Sequence, residues 1–283
     1  ISLQPLERYN LDAAIIFSDI LMVPYSLGQN VKFIKNKGPI LSDFNLDLFL
    51  QNSKKNFTER LNPIYQTIKK TRKILDKKKS LISFVGAPWT LAVYMLGLKD
   101  NKNEIDFIKL KKKEAELKII IDKLTDYLCS HLEHQVNAGA DTVQIFDSWA
   151  GLIPENKLHA YCYKPNKKIV NFCKSKKIPV IAFPKGLQKN YLEFAQIVNP
   201  NCISLDYEVD PEWANLNLKK FCLQGGMDPK ILFKREKEIF YEVDRYLNIF
   251  SNKPYIFNLG HGILPKTNPI VLKKVIERVC KFK

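Results

Sequence analysis

Seven short apolar runs punctuate the chain, at residues 12–17, 81–86, 142–146, 179–183, 202–205, 221–224 and 255–258. Each ends in small or polar residues and is followed by a stretch in which apolar side chains recur at helical spacing. Apolar runs without alternation suit strands covered on both faces, and helices between successive strands imply parallel crossovers. The pattern predicts an α/β protein.

Helix signals fill the gaps. Asn62-Pro63 reads as an N-cap followed by the first helical residue, with Ile64, Ile68 and Ile74/Leu75 as the buried stripe. Asn268-Pro269 opens a last helix in the same way. Residues 105–139 place Leu117, Ile121, Leu124, Leu128, Leu132 and Val136 on one face, end at Gly139, and are long enough for two helices. No repeat, linker or composition shift divides the chain, so residues 1–283 are expected to form one domain. Seven parallel strands do not close the usual barrel whereas eight do. The chain opens on Ile1 in mid-pattern rather than on Met. The expectation is a (β/α)8 TIM barrel whose first strand is lost from this chain.

Composition narrows the functional classes. With 46% hydrophobic and 26% charged residues in 283, the chain can bury a sizeable core. Its apolar runs fall far short of the roughly 18 residues that a membrane span needs. The six cysteines form no C-x-x-C pair and lie mostly in apolar stretches, which points to reduced core thiols and a cytoplasmic location. The net charge of +16 is almost all lysine, since arginine occurs only at positions 8, 60, 72, 235, 245 and 278. Nucleic-acid readers favour arginine interleaved with aromatic residues, so no nucleic-acid partner is expected, and the lysine runs read as solvated helix faces. His131 and His134 lack the H-E-x-x-H spacing and a third ligand, so no metal is expected there. Gly225-Gly226 after a strand reads as a turn, because no phosphate-loop pattern accompanies it.

In a parallel barrel, catalytic groups come from the C-terminal ends of strands and the loops after them. Here those ends read LDAAIIFSD (residues 11–19), FVGAPWT (84–90), QIFDSWAG (144–151), FPKG (183–186), LDY (205–207), LQGGMDP (223–229) and NLGHGILP (258–265). Together they resemble the uroporphyrinogen decarboxylase family along essentially the whole chain, with LDAAIIFSD, FVGAPWT, QIFDSWAG, LQGGMDP and NLGHGILP in the family's order. The resemblance implies a cytosolic homodimeric barrel enzyme without cofactor. Its reaction converts the four acetate side chains of uroporphyrinogen III to methyls, giving coproporphyrinogen III.

The resemblance also implies roles. Asp19 matches the family's central aspartate, which accepts hydrogen bonds from the pyrrole N–H groups. From local sequence alone it could equally be an N-cap aspartate. Tyr94, Ser148 and His261 match cleft residues that bind substrate carboxylates and orient Asp19, and hydroxyl and imidazole N–H donors suit that work. Taken singly, each could instead be core, cap or loop. Phe146 is expected to pack against the macrocycle, with ordinary core as the alternative. Gly260 and Gly262 flank His261, where close backbone approach or positive φ would require them.

Two departures accompany the match. The family's arginine-rich R-Q-A-G-R-Y segment, whose arginines bind propionates and include the favoured proton donor, has no counterpart here and is expected to precede Ile1. The segment after Tyr94-Met95, at residues 97–101, lacks the family's glycine- and serine-rich loop. The alternatives are a zinc-dependent corrinoid or thiol methyltransferase of the same superfamily, a non-catalytic tetrapyrrole-binding relative, and a basic nucleic-acid-binding protein. Against the first, residues 183–186 and 258–262 contain no cysteine to hold zinc.

Overall fold

The computed structural model describes residues 1–34, 38–99 and 104–282. Its frame is a curled sheet of seven parallel strands, β1 (Ala13–Ile15), β4 (Ser80–Gly86), β5 (Thr142–Asp147), β6 (Val180–Pro184), β7 (Cys202–Leu205), β8 (Cys222–Gly225) and β9 (Tyr255–Ile256), paired in that order. All seven apolar runs became strands. The hydrophobic pattern missed a separate antiparallel hairpin of β2 (Val31–Ile34) and β3 (Gly38–Leu41). Burial along β3 alternates between exposed and half-buried and never becomes complete, so no apolar run marked it.

Burial grades across the sheet. Every residue of β6 and β7 is buried, as expected for strands covered by helices on one face and by neighbouring side chains on the other. The edge strands β1 and β9 leave Ile15 and Ile256 exposed. The crossovers are helical, with Pro88–Met95, Phe107–Lys112 and Glu114–Asn137 between β4 and β5, Lys164–Ser175 before β6, Tyr191–Val198 before β7, Pro211–Asn217 before β8 and Glu236–Ile249 before β9. A last helix, Pro269–Lys281, is capped by Asn268, whose side chain accepts the Ile270 N–H at 2.9 Å.

Residues 105–139 do form two helices, interrupted at Lys113, and the predicted stripe of the longer one is buried apart from a partly buried Val136. Gly139 follows with φ +117°, as its C-terminal position requires. Asn62 differs from expectation. It lies inside the helix Asn62–Ile74, because the preceding helix Lys54–Arg60 runs into it through Leu61 in helical conformation, leaving no extended residue to cap from. Ile68 and Leu75 are buried, whereas Ile74 is 74% exposed on the opposite side of the last turn. Among the cysteines, 129, 162, 173 and 202 are buried and 280 is exposed, and none of those described is bridged. The segment expected to be reshaped at 97–101 includes Asp100 and Asn101, which lie outside the described residues.

Candidate functional site

Parallel pairing puts the C-terminal ends of all seven strands on one side of the sheet, and the candidate residues lie at such an end or on the segment after it. Three strands are in register there, Gly86 opposite Phe146 and Phe146 opposite Phe183. Rings from these strands form a continuous wall. Phe84 meets Phe146 at 5.5 Å, Phe146 meets Phe183 at 6.1 Å, and Phe183 meets His261 at 6.5 Å, all edge to face. Edge-to-face rings favour one another beyond simple area burial. Half-buried Phe146 thus belongs to a wall with an open side rather than to a closed core.

Asp19 sits four residues beyond β1, half-buried, with its carboxylate Oδ1 accepting the Leu21 N–H at 2.8 Å. Among the described residues this is its only side-chain bond, so most of its acceptor capacity is uncommitted. Tyr94 is the one position of the helix Pro88–Met95 that is not buried. Its hydroxyl is raised above the usual phenol range by burial, with the nearby Asp19 charge adding to the effect against the lowering influence of the Trp149 indole. It therefore remains a protonated donor within the field of the Asp19 carboxylate. The Tyr94 and Trp149 rings lie 6.1 Å apart, and the Lys99 ammonium stands 3.4 Å over the Trp149 ring.

Ser148 is half-buried between Phe146 and Trp149 in sequence, and its hydroxyl bonds to none of the described residues. The turn that carries it is held from below. Buried Asp147 accepts from the Thr90 hydroxyl at 2.7 Å and from Asn166 Nδ2 at 3.1 Å, while Thr90 Oγ1 accepts the Trp149 N–H at 3.2 Å. Burial pushes the Asp147 carboxyl up to about 6 against these hydrogen bonds.

His261 is exposed, and its Nδ1 accepts the Gly262 N–H at 2.6 Å. A neutral ring with Nδ1 as acceptor carries its hydrogen on Nε2, which leaves a donor free for a ligand. Partial desolvation of this surface ring and the Lys185 ammonium hold its pKa below the usual imidazole value, against the opposing charge of Asp206. A Cβ on Gly260 would lie 2.5 Å from the Tyr207 amide nitrogen, so only glycine lets this turn pack on the end of β7. Gly262 has open space around it and no such need. Gly225 and Gly226 adopt φ of +75° and +103°, in keeping with a turn.

Ring contacts thus link Tyr94 to the Ser148-Trp149 turn and Phe146 to His261 through Phe183, and the Asp19 charge acts on the Tyr94 hydroxyl. It also supplies residues that sequence reasoning did not single out. Asp147 and Asp206 anchor strand-end loops, with the Asp206 carboxylate accepting from the Gly186 N–H at 2.6 Å and from the Tyr191 hydroxyl at 2.9 Å. Lys185, half-buried at the end of β6, forms no ion pair among the described residues. Their only sequence signal was an Asp directly after an apolar run, or a Lys one residue beyond it. His131 and His134 lie on the helix side of the sheet, His131 bonded to the Tyr65 hydroxyl at 2.9 Å and His134 stacked on the Tyr65 ring at 5.2 Å.

The family model described as uroporphyrinogen decarboxylase matches residues 1–282. Proteins named uroporphyrinogen decarboxylase are similar along the same span. One from Rickettsia bellii is 40% identical over 100% of this chain and 84% of its own length, and one from Orientia tsutsugamushi is 42% identical over 99% and 83%. Among solved structures, a methyltransferase from Methanosarcina mazei aligns with TM-score 0.76 at 16% identity, covering 99% of this chain and 83% of that one. A B12-independent methionine synthase from Shewanella aligns at 0.63 and 12% identity, covering 99% and 86%. At such identities the likeness concerns the fold alone.

Proposed function

The chain belongs to the uroporphyrinogen decarboxylase family, and on that premise we propose how its own residues carry the reaction. It is a carboxy-lyase of tetrapyrrole biosynthesis that removes carbon dioxide from the acetate side chains of uroporphyrinogen. The finer reading is that all four acetates of the III isomer become methyls, giving coproporphyrinogen III.

Losing carbon dioxide from a pyrrole acetate leaves an electron pair that needs a sink. Protonating the α ring carbon next to the one that bears the acetate supplies one, an iminium-like cation shared between the acetate-bearing carbon and the ring nitrogen. The C–C bond to the carboxylate then breaks and its electrons neutralise the cation as an exocyclic methylene. A proton added to that methylene and one lost from the ring carbon complete the methyl group. The substrate thus provides its own electron sink, and the reading needs no metal or organic cofactor.

Asp19 is assigned the central role. Its carboxylate accepts from the pyrrole N–H groups and faces the cation as it forms. At about 4 Å and an effective dielectric near 20 the attraction is roughly 4 kcal/mol. Tyr94, Ser148 and the Nε2–H of His261 act as donors to substrate carboxylates, and Phe146 lies against the macrocycle. An eighth strand along the free edges of β1 and β9, a single domain, a homodimer and a cytoplasmic location complete the proposal. No helix among the described residues is long and apolar enough to cross a membrane.

The supporting observation is a largely uncommitted carboxylate whose charge acts on a protonated phenol, at the same end of the sheet as a wall of aromatic rings. The test is anaerobic incubation of the natural protein with uroporphyrinogen III, following carbon dioxide and partly decarboxylated products. Asp19→Ala is expected to lose turnover, and turnover of that variant at the parent rate would overturn the assignment.

A further inference from the structure

Behind Asp19, on the helix side of the sheet, lies a polar cluster that the reaction as described does not use. The β1–β4 ladder ends with the Ile16 N–H donating to the Ile82 carbonyl at 2.9 Å, and beyond it the Ser18 and Asp19 amides donate to no backbone carbonyl among the described residues. Gln135, on the helix Glu114–Asn137, reaches into this parting. Its Nε2 donates to the Phe84 carbonyl at 3.2 Å and to His131 Nε2 at 2.7 Å. Turning the amide over would set its oxygen against the Phe84 carbonyl, so the orientation is determined.

Two atoms next to this parting are then left over. His131 Nε2 is an acceptor, so Nδ1 carries the hydrogen and donates to the Tyr65 hydroxyl oxygen at 2.9 Å. Burial pushes His131 down to about 3, in keeping with a neutral ring. Gln135 Oε1 and Ser83 Oγ are left without a partner among the described residues, although both residues are 1% exposed. A cavity of about 10 Å³ is lined by Ser83, Gln135, His131, Ser18 and Asp19. That is about the volume one water needs, and buried waters typically make two to four bonds to such polar atoms.

We propose that one buried water binds in this cavity, accepts from the Ser83 hydroxyl and donates to Gln135 Oε1 and the Asp19 carboxylate, making Ser83 and Gln135 positioning residues for decarboxylation. The inference rests on the catalytic reading of Asp19. The water holds the carboxylate from behind, adding to the Leu21 N–H, its one bond among the described residues. Because neither residue meets substrate, loss of the bridge acts on the chemical step rather than on binding.

The experiment compares Ser83→Ala and Gln135→Met with the parent in anaerobic decarboxylation, alongside Asp19→Ala and a crystal structure of the parent enzyme. Ordered density is expected in the cavity. Each variant is expected to lower kcat about tenfold, the equivalent of one hydrogen bond, with KM within about twofold. The double variant is expected to be no slower than Gln135→Met, since both act through one water. Ser83→Ala, which disturbs only a hydroxyl, guards against misfolding of the Gln135 variant. No density in the cavity, or unchanged kcat in Ser83→Ala, overturns the bridge. If Asp19→Ala is inactive while both other variants keep kcat, only the bridge falls. If Asp19→Ala turns over at the parent rate, the catalytic reading falls and the bridge with it.

Discussion

Replacing Asp147 with asparagine should flatten the pH dependence of stability, and the magnitude follows from its burial. Its carboxyl is raised from an ordinary 3.8 to about 6 in the folded protein. A carboxyl raised on folding binds its proton more tightly in the native state. Its contribution to stability is therefore full below pH 4 and is lost as pH rises through about 6. From about 3.8 to about 6, at 1.36 kcal/mol per pH unit, the loss is roughly 3 kcal/mol. At roughly 2 °C per kcal/mol for a chain of this size, that is about 6 °C in Tm. The substituted amide has nothing to titrate. Its oxygen can still accept from the Thr90 hydroxyl, but its NH2 would face the Asn166 NH2, so the variant carries a constant penalty whatever the pH. Thermal melts of Asp147→Asn and the parent from pH 4 to pH 7 should show the variant gaining about 6 °C relative to the parent across that range. A difference that stays constant with pH would mean that the Asp147 carboxyl is not raised, and the burial argument would fail.

Three further outcomes are expected. Gly260→Ala drives a methyl against the Tyr207 amide nitrogen 2.5 Å away, so the turn carrying His261 must shift, lowering kcat/KM about tenfold or more and reducing Tm. The His261 ring should titrate below pH 6.5 by NMR, because partial desolvation and Lys185 lower its pKa, and Lys185→Met should move the titration upward. Tyr94→Phe and Ser148→Ala each remove one donor and should reduce kcat/KM about tenfold, with Tm little changed since neither residue is fully buried.

Much of the frame was legible in residue order. The seven apolar runs all became parallel strands, and Gly139 and Asn268 ended and began helices where their chemistry requires. Misreadings arose where a neighbour overrode a local signal. Asn62 has the chemistry of an N-cap, but a helix already running through Leu61 removed the extended backbone that a cap needs. In the hairpin of β2 and β3, the strand Gly38–Leu41 has no fully buried position, so periodicity had nothing to register there. Asp19, Tyr94, Ser148, Phe146 and His261 were found by motif resemblance, and their positions at or just after strand ends and on the first helix beyond β4 agree with the α/β alternation.

Strand and helix identity depends on apolar spacing of about 2 or 3.6 residues, a property of short stretches, so the sequence by itself determined the order and class of the elements. What lies beside what depends on the curl of the sheet and on contacts between residues far apart in the chain. Only the tertiary structure brought the Asp19 charge to act on the Tyr94 hydroxyl, set the His261 ring edge to face with Phe183, and joined Tyr65, His131 and Gln135 behind β4. The burial that raises the Asp147 carboxyl is likewise a product of packing, and the hydrogen bonds that oppose it come from Thr90 and Asn166, residues 57 and 19 positions away.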